Sequence, residues 1–113
     1  MPAYVVFDED VTDLVGIQEY IQQSGPVLER YGGKPLAPGG PIETLEGDWR
    51  PNPLVILEFE SVVQARRWYS SNEHTRARTI RHLASNSRVV LVPGVTYALE
   101  WPPKTPQHQD TLA

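Results

Sequence analysis

The chain has 113 residues, 40% hydrophobic and 21% charged, which suits one globular domain with a single core. Its formal charge of −4 argues against a nucleic-acid partner, because phosphate neutralisation wants a basic face. With no cysteine there is no disulfide framework, no thiolate nucleophile and no Cys-ligated metal site.

The N-terminal MPAYVVFDEDV meets acids at once and has no basic region before its apolar stretch, unlike a signal peptide. No apolar run approaches the roughly 20 residues that span a bilayer, so the expectation is a cytoplasmic protein with no membrane association. Ala3 to Asp8 is β-branched and aromatic and reads as the first strand, closed by DED. Asp13 is a candidate N-cap. Behind it Leu14, Ile17, Ile21, Leu28 and Tyr31 follow a three-four spacing, with Ser24 in the polar slot. Gly25-Pro26 is expected to kink or split this helix, and Gly32-Gly33 to stop it. KPLAPGGPIETLE, residues 34 to 46, is too rich in proline for a central strand and predicts an edge strand with a bulge at Gly39-Gly40. GDWRPNP is the turn into a third strand, Leu54 to Glu60. Ser61 caps a helix with Val62, Ala65, Trp68 and Tyr69 on one face, and Ser70-Ser71-Asn72 breaks it. A second helical piece, His74 to Ala84, turns Ala77, Ile80 and Leu83 or Ala84 inward, and Arg88 to Pro93 is the fourth strand. Residues 1–96 form the expected domain. Tyr97, Leu99 and Trp101 suggest an arm across a partner, and the composition beyond Pro103 suggests a disordered tail.

This order, β-α-β-β-α-β, predicts an α+β, ferredoxin-like fold: a four-stranded antiparallel sheet with its helices on one face. Such a sheet should alternate apolar and polar residues, yet Val89 and Leu91 oppose Val90 and Val92, and Val5 and Phe7 oppose Tyr4 and Val6. Two apolar faces with helices for one imply a homodimer packed sheet against sheet.

The stretches RYGGKPLAPGGPIETLEGDWRPNPLVILEFES and WYSSNEHTRARTIRHLASNSRVVLVPGV resemble domain of unknown function 1330, a family of small, mostly bacterial proteins. The resemblance covers roughly residues 3 to 95 and implies membership of the dimeric α/β-barrel superfamily, whose sheets close face to face into a barrel. That superfamily includes cofactor-independent monooxygenases, haem-degrading enzymes, muconolactone isomerases and dye-decolourising peroxidases. Gly39-Gly40 follows Ala37-Pro38, where the family commonly has arginine, and SSNEH at 70 to 74 stands in place of a SPEY-like segment.

The candidate chemistry is sparse. His74, His82 and His108 lack metal-ligand spacing, and no phosphate or dinucleotide motif is present, so neither metal nor cofactor is expected. His74, just after a helix break, is a candidate general base, with a water-facing helix start as the plainer reading. Glu58, on an apolar strand, is a second proton-transfer candidate unless it serves as a structural ion-pair partner. Arg78 and Arg81 share a helix face that could grip an anionic oxygen, or simply be solvated. Trp49 and Arg50, in a proline-bounded loop, are expected to seal the barrel mouth and subunit contact, with substrate gating second. A pocket between sheet and helices is expected to be lined by Tyr31, Glu43, Trp68, Tyr69, His74 and Arg78. It would bind a small acidic or aromatic metabolite and could transform it by cofactor-free proton transfer or isomerisation. The alternative is a non-catalytic dimeric accessory or protein-interaction module.

Overall fold

The computed structural model describes residues 1–51 and 54–95. Strand β1 runs Ala3–Val11, longer than the apolar stretch alone predicts, because the acids Glu9 and Asp10 keep the ladder to β4. Helix α1 is Leu14–Arg30, with the Asp13 carboxylate accepting from the Gly16 N–H at 3.1 Å as an N-cap. Strand β2 is Lys34–Pro38 and β3 is Leu54–Phe59; α2 is Val62–Ser70, α3 is Asn72–Ala84 and β4 is Ser85–Pro93. The strands lie in the order β2-β3-β1-β4, and each neighbouring pair is antiparallel. This is the ferredoxin-like α+β arrangement, with three helices on one face of the sheet. No helix among the described residues is long and apolar enough to cross a membrane.

Three local expectations are corrected. Pro26 lies inside α1, which neither splits nor ends there. The preceding residue is Gly25, with no Cβ to meet the pyrrolidine ring, and Gln22, whose carbonyl loses its helical donor, is exposed to solvent. The buried stripe of α1 is Ile17, Tyr20, Ser24 and Val27, while Leu14 and Ile21 are exposed. The register shift of the edge strand falls between Pro35 and Ala37 and not at Gly39-Gly40, since β2 has already ended at Pro38. Of the two inward alternatives in α3, the structure takes Ala84, and Leu83 is exposed.

Helix α1 stops as its glycines foretell. The Gly33 N–H donates to the Leu28 carbonyl and Gly32 N–H to Glu29, both at 2.9 Å, and Gly32 takes φ +76°. A Cβ on Gly33 would stand 2.2 Å from Leu28 Cδ1 and 2.8 Å from Phe59 Cε2, so this glycine lets α1 close onto β3.

The inner face of the sheet carries Ala3, Val5, Phe7, Leu57 and Phe59, buried against Val27, Ala65 and Trp68. Trp68 packs between Phe59 (centroids 5.1 Å) and Phe7 (6.4 Å). A second cluster, Ile17, Tyr20, Ala77 and Ala84, joins α1 to α3. The opposite face holds Tyr4, Val6, Leu54, Ile56, Val90 and Val92, with Tyr4 paired across to Val92 and Val6 to Ile56 and Val90. No described helix covers it, and Val90 is 56% exposed. The arm and tail expected from residue 97 onward, and His108, lie outside the described residues.

Candidate functional site

Alternation along β1 does not stop at the apolar run. After Ala3, Val5 and Phe7 the next inward position is Glu9, a carboxylate only 7% exposed. Facing it, the helical spacing of α1 brings in Tyr20 and then Ser24 one turn later. From α3 the stripe His74, Ala77, Arg81, Ala84 adds a fully enclosed imidazole and a guanidinium 1% exposed. Five polar side chains therefore meet between the sheet and the helices.

Their hydrogen bonds have a direction. His74 Nδ1 lies 3.2 Å from the Tyr69 carbonyl, which can only accept, so Nδ1 carries a proton. Burial, aided by the charges of Arg81 and Arg78, lowers the His74 pKa to about 4 against the Tyr69 contact. The ring is thus neutral near pH 7, and Nε2 is an acceptor. Tyr20 Oη, 3.2 Å away, donates to it. Arg81 Nη1 donates in turn to Tyr20 Oη at 3.0 Å. The chain runs Arg81 to Tyr20 to His74 to the Tyr69 carbonyl. Burial raises the Tyr20 pKa, opposed by Arg81, so the phenol keeps its proton. The Arg81 guanidinium also lies 5.0 Å from the Phe7 ring centroid and 5.2 Å from that of Tyr20. Arg81 Nε and Trp68 Nε1 are buried with no hydrogen-bond partner among the described residues.

Beside this cluster is a cavity of about 280 Å³. Phe7, Leu57 and Trp68 line it, and its polar wall is Glu9, Tyr20 and Ser24. The Ser24 hydroxyl stands near the Tyr20 oxygen. Glu9 has no side-chain hydrogen bond or ion pair among the described residues. Burial raises its pKa, partly offset by Arg81. No lysine, arginine or histidine is among the residues lining the cavity.

The expected site residues separate into three places. His74, Trp68 and Arg81 come together, but His74 is enclosed with both nitrogens committed and so neither faces water nor reaches over the sheet edge. Tyr69 and Arg78 lie on the solvent side of the cluster. Arg78 Cζ is 4.0 Å from the Tyr69 ring centroid, and Arg78 Nη1 donates to the same carbonyl that holds His74. Tyr69 borders a different hollow of about 470 Å³ with Val5, Ala65 and Val89. Tyr31 is half-buried at the end of α1, packed on the core, its carbonyl accepting from Gln64 Nε2 at 3.0 Å. Glu43 is exposed in the loop after β2 and lines none of these spaces.

Glu58 lies on the outer sheet face, in register with Tyr4 and Lys34, so the sheet separates it from His74. Trp49 is also on the outer side. Its Nε1 donates to Asp8 Oδ2 at 3.2 Å, where Arg88 makes an ion pair at 2.7 Å, and with Val6, Leu54 and Val90 these residues frame a hollow of about 440 Å³. Among the described residues Arg50 bonds within its own loop, to the Gly47 and Trp49 carbonyls. Sequence reasoning missed Glu9, Tyr20 and Ser24. The signal for Glu9 was the unbroken period of two from Val5 and Phe7. No group of three or more His, Asp or Glu side chains among the described residues could hold a metal ion.

A ferredoxin-like sheet with a polar cluster and a cavity under its helices defines a small α+β domain of a widely shared architecture. The chain belongs to the family described as Domain of unknown function (DUF1330), whose model matches residues 2–95. Its fold is similar to that of a protein of unknown function from Rhodopseudomonas palustris, at 22% identity and TM-score 0.69, covering 85% of this chain and 84% of that one. It is similar to SnoaB, a cofactor-independent oxygenase from Streptomyces nogalater, at 16% identity and TM-score 0.56 over 89% of this chain and 97% of that one. A dimeric ferredoxin-like protein of unknown function from Jannaschia sp. CCS1 matches at 12% identity and TM-score 0.58 over 83% of this chain and all of that one (100%). No functionally curated protein matches the chain.

Proposed function

We propose that the cavity between the sheet and α1 binds a small aromatic or acidic metabolite and that its polar wall moves a proton on it without a cofactor. The observation that carries this reading is the nearly buried carboxylate of Glu9, without a hydrogen-bond or ion-pair partner among the described residues, facing a largely apolar cavity and backed by the directed Arg81–Tyr20–His74 chain. A buried carboxylate without a partner costs stability that packing alone would not retain. A carboxylate held above its ordinary pKa is a stronger base than an exposed one and better suited to take and return a proton. The base is therefore Glu9, not His74. Glu9 would remove a proton from one atom of the ligand and return it at another, so the net reaction is an isomerisation and no electron leaves the ligand. Negative charge that develops meanwhile lies in the field of the Arg81 guanidinium, which donates to the Tyr20 hydroxyl behind the cavity wall. His74 is a positioning residue that fixes the direction of that hydroxyl.

The working unit would be a homodimer joined through the outer sheet face. That face is apolar and uncovered among the described residues, and a solved structure of the same fold is described as a dimer. Trp49, set over Asp8 and Arg88, would sit at the rim of this contact with Arg50 beside it. The reading is tested by a thermal-shift screen of carboxylic acids, phenols, quinones, lactones and haem. At ligand concentrations near 100 times the dissociation constant, a true ligand stabilises by about 2.7 kcal/mol. Glu9→Gln and Tyr20→Phe should shrink that shift, whereas Glu58→Gln should leave it alone. A ligand whose shift ignores Glu9 and Tyr20 but follows Glu58 would place the site on the other face.

A further inference from the structure

The polar wall of the cavity also defines what it can read, and this inference rests on the cavity being a ligand site. Tyr20 has one hydroxyl proton, and His74 Nε2 takes it, because Nδ1 is already the donor to the Tyr69 carbonyl. Arg81 occupies one lone pair of the same oxygen. The Ser24 hydroxyl donates to the same oxygen, so Tyr20 has no proton to offer a ligand. Glu9 accepts when ionised, and Ser24, its proton given to Tyr20, presents an acceptor as well. An acceptor-only ligand group, such as a carboxylate, meets two acceptors and no cation on the lining, and its charge lies beside that of Glu9. An ammonium group would find Glu9, but at a place already under the field of Arg81, whose guanidinium lies near the Phe7 and Tyr20 rings that line the cavity. A neutral hydroxyl suits this wall, because it donates its one proton to Glu9 or to the Ser24 oxygen. The remaining walls are apolar and aromatic. A cavity near 150 Å³ already takes benzene, so about 280 Å³ admits a fused two-ring system.

We infer that this cavity selects a neutral, hydroxyl-bearing aromatic or enolic ligand over the corresponding carboxylate or amine, with Glu9 as the residue that sets the choice. An enolic O–H against Glu9 is also the proton that the reaction proposed above would move.

Four probes of one shape separate these chemistries: 2-naphthol, 2-methoxynaphthalene, 2-naphthoate and 2-naphthylmethylammonium, titrated calorimetrically near pH 7.5, where the acid and amine are charged and the naphthol is not. The wild-type chain should bind 2-naphthol about tenfold more tightly than each of the other three, the worth of one well-made hydrogen bond or one avoided mismatch. Glu9→Gln, which keeps the size and adds an N–H donor, should narrow the naphthol-to-naphthoate ratio about tenfold. Tyr20→Phe, which frees the Ser24 proton for an acceptor-only ligand, should narrow the naphthol-to-methoxynaphthalene ratio, and thermal melts establish that both variants fold. Naphthoate or the ammonium binding as tightly as naphthol, or a ratio unmoved by Glu9→Gln, would overturn the inference while leaving the cavity as a ligand site. Failure of all four probes to bind wild type would overturn the cavity reading itself, and this inference with it.

Discussion

Tyr20, with one hydroxyl, carries more of the account than any other side chain, because it links the buried cation of Arg81 to the neutral ring of His74. That neutrality makes stability depend on pH. The His74 pKa lies below its unfolded value, at about 4 against 6.5, so the unfolded chain binds more protons between those limits. Its contribution is complete above about pH 6.5 and is lost as pH falls toward 4, up to about 3 kcal/mol. Glu9 has the opposite sign: its raised pKa means stability is regained as pH falls through the folded value toward 4.5. Urea unfolding at stepped pH should therefore show a steeper acid loss in Glu9→Gln than in wild type. An unchanged or shallower slope would contradict the assignment. Little of this was legible beforehand. His74, Trp68 and Arg81 were named as candidates from the sequence, but Arg81 stood within a run of arginines that reads equally as a solvated helix face. Only its place four residues after Ala77 and three before Ala84 marked it as inward. Glu9 was hidden because an acidic DED run reads as the end of a strand, although the period of two continued through it.

At the scale of elements, caps and turns were the most readable features. Asp13 and Ser61 accept where their residue types foretell, and Gly32-Gly33 closes α1. The stripe of α1 was misjudged by one position, with Ile21 chosen over Tyr20. Hydrophobicity favours isoleucine, but the inward face needed a hydroxyl for His74 and Arg81. The break between α2 and α3 has a function of its own. Ser71 Oγ donates to the Trp68 carbonyl at 2.8 Å and accepts from the His74 N–H at 3.2 Å, ending one helix and starting the next. It thereby fixes both aromatic rings, whose centroids lie 4.1 Å apart. Ser71→Ala should cost about 1–2 kcal/mol in chemical denaturation. Ser70→Ala, whose hydroxyl is exposed and bonds only the Arg66 carbonyl, should cost clearly less. Equal losses would mean that Ser71 is no special joint.

For the whole molecule, the alternation of β1, β3 and β4 already stated that both sheet faces are apolar, and no described helix covers the outer one. The fold was legible because element order and two-sided strands constrain topology strongly. The sites were not, because the cavity and the polar cluster beside it are built by residues far apart in sequence: Glu9 and Tyr20 in the first part of the chain, Trp68, His74 and Arg81 in the second. If the outer face is the subunit contact, Val90→Lys should break it. Each apolar side chain released there forfeits about 2 kcal/mol, and the introduced charge adds its own desolvation cost. Sedimentation should give twice the 12.7 kDa chain mass for wild type and a monomer or precipitate for the variant. A wild-type monomer at micromolar concentration would contradict the dimer.

The most direct test of the central claim uses the three tryptophans as reporters. Trp68 lines the cavity, Trp49 sits on the outer sheet face, and Trp101 follows the described domain. In a ¹⁵N-labelled chain each gives one indole N–H resonance, assignable by single Trp→Phe variants. Titration with 2-naphthol should move the Trp68 indole resonance saturably and leave that of Trp49 in place. Movement of the Trp49 resonance with Trp68 unchanged would put the ligand on the opposite face of the sheet and contradict the account.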